Sequence, residues 1–114
     1  MKLPRLVSQI VSFDSVFIVG GTAKAIATGN KEYLIKDIDV LVTNIDIWND
    51  VALLIPKDAK VNSYGGWKFK TEEIEVDIWP ESLEHHLKHG KVEFCGKVYA
   101  IDFLNNRVYS SEVR

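Results

Sequence analysis

Ser15-Val16-Phe17-Ile18-Val19-Gly20-Gly21-Thr22-Ala23-Lys24-Ala25-Ile26-Ala27-Thr28-Gly29 and, a few residues on, Lys36-Asp37-Ile38-Asp39-Val40-Leu41-Val42-Thr43 decide how this chain folds. Ser15 to Val19 carries a short continuous apolar run, the pattern of a buried strand. Gly20-Gly21 breaks it, and Thr22 to Thr28 then predicts a short helix stopped at Gly29-Asn30. Lys36 to Thr43 predicts a second strand with separated faces. Ile38 and Val40 point one way, Asp37 and Asp39 the other.

The same logic extends outward. Pro4 suits the first position of a short helix whose stripe is Leu6, Val7, Ile10 and Val11. Asn44 to Asp46 offers a cap for a helix from about Ile47 to Leu54, ended by Pro56. Lys60 to Tyr64 predicts a strand, and Gly65-Gly66 a turn. Trp67 to Lys70 and Ile74 to Trp79 predict a hairpin joined through Thr71-Glu72-Glu73. On its second arm Ile74, Val76 and Ile78 oppose Glu75, Asp77 and Trp79. Glu81 to Lys88 predicts a helix ending at Gly90. Val92 to Cys95 and Lys97 to Phe103 predict a last hairpin turning at Gly96, followed by a loose polar tail from Asn105. The expected order is α-β-α-β-α-β-β-β-α-β-β. That is a mixed β-sheet with helices packed on it, of the α/β or α+β class.

Chemistry enters with the carboxylates. Strand geometry sets Asp37 and Asp39 on one face, about 6–7 Å apart. Asp77 repeats the pattern within Val76-Asp77-Ile78. If the two strands are neighbours, three acidic groups meet, repel one another and need a cation. Hard oxygen donors of this kind suit Mg²⁺ or Mn²⁺, and two such ions could activate a hydroxyl and stabilise a leaving pyrophosphate. A lone D-x-D is more often the solvated face of a half-buried strand. Two Asp residues inside an apolar strand, with a Gly-Gly turn upstream, weigh against that simpler account. Gly20 and Gly21 lack Cβ atoms and open a helix, so backbone and free N–H groups can approach a phosphate. Thr22 could add a hydroxyl and Lys24 a charge. The spacing matches neither a Walker A loop nor a dinucleotide fingerprint.

Taken together, Val19-Gly20-Gly21-Thr22-Ala23-Lys24-Ala25-Ile26-Ala27-Thr28-Gly29 followed by Asp37-Ile38-Asp39-Val40 resembles the polymerase-beta-like nucleotidyltransferases. It is most similar to the head domain of bacterial-type CCA-adding enzymes and poly(A) polymerases. Gly66-Trp67-Lys68-Phe69 to Val76-Asp77-Ile78 resembles their later hairpin, so the likeness spans about residues 16–80. The resemblance implies that Gly20 and Gly21 contact nucleotide phosphates, that Asp37 and Asp39 bind the catalytic metals and that Asp77 completes the site. It implies transfer of a nucleoside monophosphate from an NTP to a hydroxyl, on an RNA 3′ end, a protein side chain or a small molecule, with release of pyrophosphate. The family often has Arg-Asp where this chain has Lys24 and Ala25, so a point charge replaces a guanidinium fork. No helical neck and body follow the head-like stretch, so a minimal head, one domain over residues 1–114, is expected and CCA addition by it alone is not. The alternative expectation is a catalytically silent nucleotide- or partner-binding module, including a member of a toxin–antitoxin-type complex.

The remaining candidates are weaker. His85, His86 and His89 suggest a metal site, with His85 and His89 at i,i+4, but no supporting Glu or Cys pair follows, so a solvated helix face is expected for all three, although one His could approach a nucleotide. Trp79 shares the Asp77 face by parity, but Trp48, Trp67 and Trp79 read first as core or edge residues. Lys57, Lys60, Lys68 and Lys70 could line a groove for an acidic substrate but read first as scattered solvated surface, and Cys95 reads as a small buried hydrophobe. With 114 residues and 46% apolar content, the chain can bury a self-standing core. Its net charge of −2 is not that of a basic nucleic-acid binder. A lone cysteine, no apolar run long enough to span a bilayer and no signal-peptide pattern lead to the expectation of a cytoplasmic protein.

Overall fold

The computed structural model describes residues 2–90 and 96–112. The helices are α1 (Arg5–Ile10), α2 (Gly20–Thr28), α3 (Ile45–Ala52) and α4 (Leu83–His89). The strands are β1 (Val16–Val19), β2 (Asp37–Val42), β3 (Lys60–Val61), β4 (Trp67–Thr71), β5 (Ile74–Pro80), β6 (Lys97–Asp102) and β7 (Arg107–Glu112). They form one mixed sheet in the order β3-β4-β5-β2-β1-β6-β7. All neighbours are antiparallel except β2 and β5, which run parallel in the centre. No helix among the described residues is long and apolar enough to cross a membrane.

Side-chain alternation makes the two faces of this sheet unlike. One face collects Val16, Ile18, Ile38, Val40, Val76 and Ile78, all completely buried. Val7 and Ile10 of α1, Ala23 of α2 and Val51 of α3 close over them in a single cluster. The opposite face carries a smaller cluster of Phe17, Val19, Leu41 and Ala100, against which Trp79, Tyr109 and Leu83 and Leu87 of α4 pack. Asp37, Asp39 and Asp77 lie on that second face by parity with Leu41 and Trp79. Among the described residues one short helix, α4, covers part of it, and the carboxylate end stays open.

Local chemistry sets the boundaries. Asn44 caps α3 by accepting from the Asp46 N–H at 2.9 Å, and Ser82 caps α4 by accepting from the His85 N–H at 3.1 Å. Gly29, with φ +67°, ends α2 in the left-handed conformation as its sequence position predicts. The two-residue hairpin loop at Glu72-Glu73 has φ of 48° and 66°, the positive pair of a type I′ turn. Asn-Gly is the usual occupant of such a turn; here the Glu72 carboxylate is used, accepting from the Arg5 N–H at 2.7 Å at the start of α1. Pro4 is the N-cap of that helix, one position before the expected one.

Three expectations are corrected. The helix after the glycine pair starts at Gly20 and takes in both glycines. The segment from Asn105 is no loose tail: Asn105 anchors to Asp102 through its N–H and side-chain amide at 3.1 and 2.8 Å, and β7 follows as an edge strand. The closing hairpin is therefore β6 with β7. The expected strand Val92 to Cys95, and Cys95 with it, lie outside the described residues. The strand expected from Lys60 to Tyr64 is shorter, because Asn62 turns the chain. Its side-chain oxygen accepts from the N–H groups of Tyr64 and Gly66 at 3.0 and 2.8 Å.

Gly66 is the tightest point of this loop. A Cβ there would stand 1.7 Å from the Ile78 carbonyl oxygen, a backbone atom of a central strand. Gly66→Ala is expected to lower unfolding stability in urea by about 3 kcal/mol, the upper end of overpacking costs. Gly29→Ala, which meets nothing within 4 Å, carries only the left-handed backbone penalty of about 1–2 kcal/mol. Equal losses for the two variants would show that the Gly66 contact relaxes.

Candidate functional site

Parallel pairing of β2 with β5 aligns Asp37 with Glu75, Ile38 with Val76 and Asp39 with Asp77. Directly paired residues project from the same face, so Asp39 and Asp77 are side by side and Asp37 is one pleat away. Asp37 is exposed; Asp39 and Asp77 are half-buried. On the other flank β1 pairs Val19 with Asp39, which delivers Gly20 to the edge of the carboxylate group. Gly20 has φ +73°, and a Cβ there would lie 2.5 Å from Asp39 Oδ2. Glycine is thus required twice, for its backbone angle and for the approach of the carboxylate. A Cβ on Gly21 would meet the Tyr33 hydroxyl at 3.2 Å.

These groups share a cleft of about 880 Å³. Its walls include Gly20, Gly21 and Lys24 from α2, Asp37, Asp39 and Asp77 from the sheet, Lys36 and Lys97, the aromatic pair Tyr64 and Trp79, and His86 and His89 from α4. Among the described residues no side chain caps the N-terminus of α2, whose first N–H groups lie at the cleft wall. Thr22 does not join them. It is buried, and its hydroxyl donates to the Asp37 carbonyl at 2.9 Å. It ties α2 to β2 and holds the carboxylate strand; the expected phosphate contact of its hydroxyl has no counterpart here.

The electrostatics are unbalanced. The Asp39 carboxyl is pushed up to about 6 by burial first, then by the neighbouring charges of Asp37 and Asp77. Lys68 opposes the shift; it is opposite Asp77 in the β4–β5 register and is exposed, as expected for it. Clustered carboxylate oxygens would fit a hard divalent ion in donor type. Among the described residues no three His, Cys, Asp or Glu side chains enclose a common point. Asp39 and Asp77 are the directly paired donors, so an ion held there would draw most of its ligands from water or phosphate oxygens.

Sequence reasoning missed His86. The helix was expected to present its histidines to solvent, yet His86 is only 7% exposed. Its Nδ1 lies 3.0 Å from Glu81 Oε2, while His85 Nδ1 lies 2.6 Å from Glu81 Oε1. Trp79 Nε1 donates to Glu81 Oε2 at 3.4 Å. Burial works to raise the Glu81 pKa, but the hydrogen bonds from His85, His86 and Trp79 outweigh it and hold the carboxyl below its usual range. A Glu-oriented histidine on the cleft wall can contact phosphate or carry a proton. The available signal was the apolar pair Leu83 and Leu87, which turns His86 toward the sheet at the i+3 position. No protein-family model, curated protein or solved structure matches the chain. The cleft's own residues therefore carry its functional reading.

The raised Asp39 pKa has a definite sign in stability. Folded and unfolded forms are both protonated below the ordinary value of 3.8, so no cost arises there. Between 3.8 and about 6 the folded state binds the extra proton, and stability falls as pH rises through that window. At 1.36 kcal/mol per unit, the cost above it is at most about 3 kcal/mol, reduced by solvent at the open side of the carboxylate. With chelator present, Asp39→Asn is expected to be more stable than wild type at pH 8, the gap closing toward pH 4. Urea unfolding of both proteins across that range checks it; a gap independent of pH would remove Asp39 as its source.

Proposed function

We propose that the cleft is the active site of a metal-dependent nucleotidyltransferase. The observation that carries the proposal is the Asp39–Asp77 pairing on adjacent parallel strands, beside a glycine pair that opens a helix. The resemblance to the head of polymerase-beta-like enzymes agrees with it. The N–H groups of Gly20 and Gly21 and the Lys24 ammonium hold the triphosphate of an NTP. Asp37, Asp39 and Asp77 would hold Mg²⁺ or Mn²⁺, which would supply neutralisation of phosphate charge and a more acidic attacking hydroxyl. Asp77 alternatively accepts the proton of that hydroxyl. The acceptor oxygen forms a bond to the α-phosphorus, the bond to the bridging oxygen breaks, and its electron pair leaves with pyrophosphate. Positioning and electrostatics supply most of the rate.

The acceptor is a hydroxyl on an RNA end, a protein side chain or a small molecule. Calorimetry with each NTP, with and without Mg²⁺, is the direct test. Wild type is expected to bind in a Mg²⁺-dependent way and Asp37→Ala/Asp39→Ala to lose that binding. Pyrophosphate release with acceptor present is expected to fall by about a hundredfold or more in Asp37→Ala, the scale for losing one electrostatic stabiliser. Failure of wild type to bind any NTP would overturn the enzyme proposal. Metal-independent binding that survives in the double variant would favour a silent nucleotide-binding module.

A further inference from the structure

Tyr64 is 66% exposed at the tip of a loop, yet it is firmly held. Asn62 grips the loop from within. Besides accepting from the N–H groups of Tyr64 and Gly66, its amide nitrogen donates to the carbonyls of Trp67 and Ile78, each at 3.2 Å. The same nitrogen reaches Asp77 Oδ1 at 3.4 Å. One side chain thus ties the Tyr64 loop to the carboxylate strand. The Tyr64 ring centroid lies 5.5 Å from that of Trp79 at an interplanar angle of 40°. Trp79 is itself steadied by its hydrogen bond to Glu81. Tyr64 meets it at an angle, and both rings line the same cleft as Asp77.

We propose that the Tyr64–Trp79 wall is the base subsite of this cleft, stacking the planar nucleobase of the bound nucleoside triphosphate. The proposal rests on the nucleotidyltransferase reading above and adds where the base lies. Trp79 is two residues beyond Asp77 on the same face of β5, about 6–7 Å along the strand. That distance is the breadth of a ribose between an α-phosphate at the carboxylates and its base. The phosphate end lies across the cleft, at Gly20, Gly21 and Lys24. Aromatic rings take any base, because every base has a π-face. The wall therefore supplies affinity for a nucleoside over bare phosphate without hydrogen-bond readout of its identity.

Calorimetry in Mg²⁺ with two probes, ATP and inorganic tripolyphosphate, tests this. Wild type is expected to bind ATP more tightly than tripolyphosphate. Tyr64→Ala is expected to weaken ATP about ten- to hundredfold, the scale of one lost base stack, and to leave tripolyphosphate and the urea midpoint unchanged. Tyr64→Phe keeps the ring and is expected to keep the affinity. The wall is overturned if wild type binds the two probes equally, if Tyr64→Ala leaves ATP binding intact, or if both probes weaken together. Failure of wild type to bind either probe overturns the phosphate site as well, which separates the fall of the whole reading from the fall of the base subsite alone.

Discussion

The burial of one aliphatic face at the parallel pairing of β2 with β5 is the constraint on which this fold depends, and it holds two like charges side by side on the other face. Asp39 and Asp77 face each other across the parallel pairing of β2 with β5. At about 5 Å and an effective dielectric constant of about 20, two such charges repel by roughly 3 kcal/mol. The register that imposes this also buries Ile38, Val40, Val76 and Ile78 completely. Each of those side chains contributes about 1.5–3 kcal/mol, so the apolar face decides the register and the acidic face follows. A slip of either strand by one residue would separate the two carboxylates and turn two of these aliphatic side chains to the opposite face.

The two faces of the sheet consequently do different things. Three helices seal one, and α4 alone covers part of the other. The open part begins where aliphatic residues give way to Asp along β2 and β5, and it receives Gly20 from β1. Thr22 makes this arrangement stiff. Its buried hydroxyl bonds the Asp37 carbonyl, so the helix carrying the glycine pair and the strand carrying the carboxylates cannot move independently without losing that bond. Asn62 does the same for the far wall, joining the Tyr64 loop to Asp77 and Ile78.

Much of this was legible in local pattern. The period-two alternation in Lys36 to Thr43 and Ile74 to Trp79 placed the three Asp residues on the correct faces, and Gly29 and Pro56 marked helix ends. What pattern could not provide is partnership over distance. Nothing local states that β2 lies beside β5 some 38 residues later, the separation of Asp39 from Asp77. Nor did β7 announce itself. As an exposed edge strand it keeps few buried side chains, and its polar alternation looks like a tail until β6 is placed next to it. Thr22 and His86 were misplaced for a related reason. Each has a polar side chain whose burial is made tolerable by a partner remote in sequence or around a turn, Asp37 and Glu81, and a one-dimensional pattern prices the group without its partner.

The same difficulty hides the electrostatic character of the cleft. A net charge of −2 over 114 residues suggests a neutral surface, yet the charges are sorted in space. Asp37, Asp39 and Asp77 occupy the floor, while Lys24, Lys36 and Lys97 stand on the walls. An acidic floor with cationic walls repels a bare polyanion at its centre and attracts it at its rim. A divalent cation bound at the floor would reverse its charge, so that metal and polyanion would favour each other's binding. Cooperation of this kind follows from the placement of six charges by a sheet register and one glycine turn. It leaves no trace in their sum.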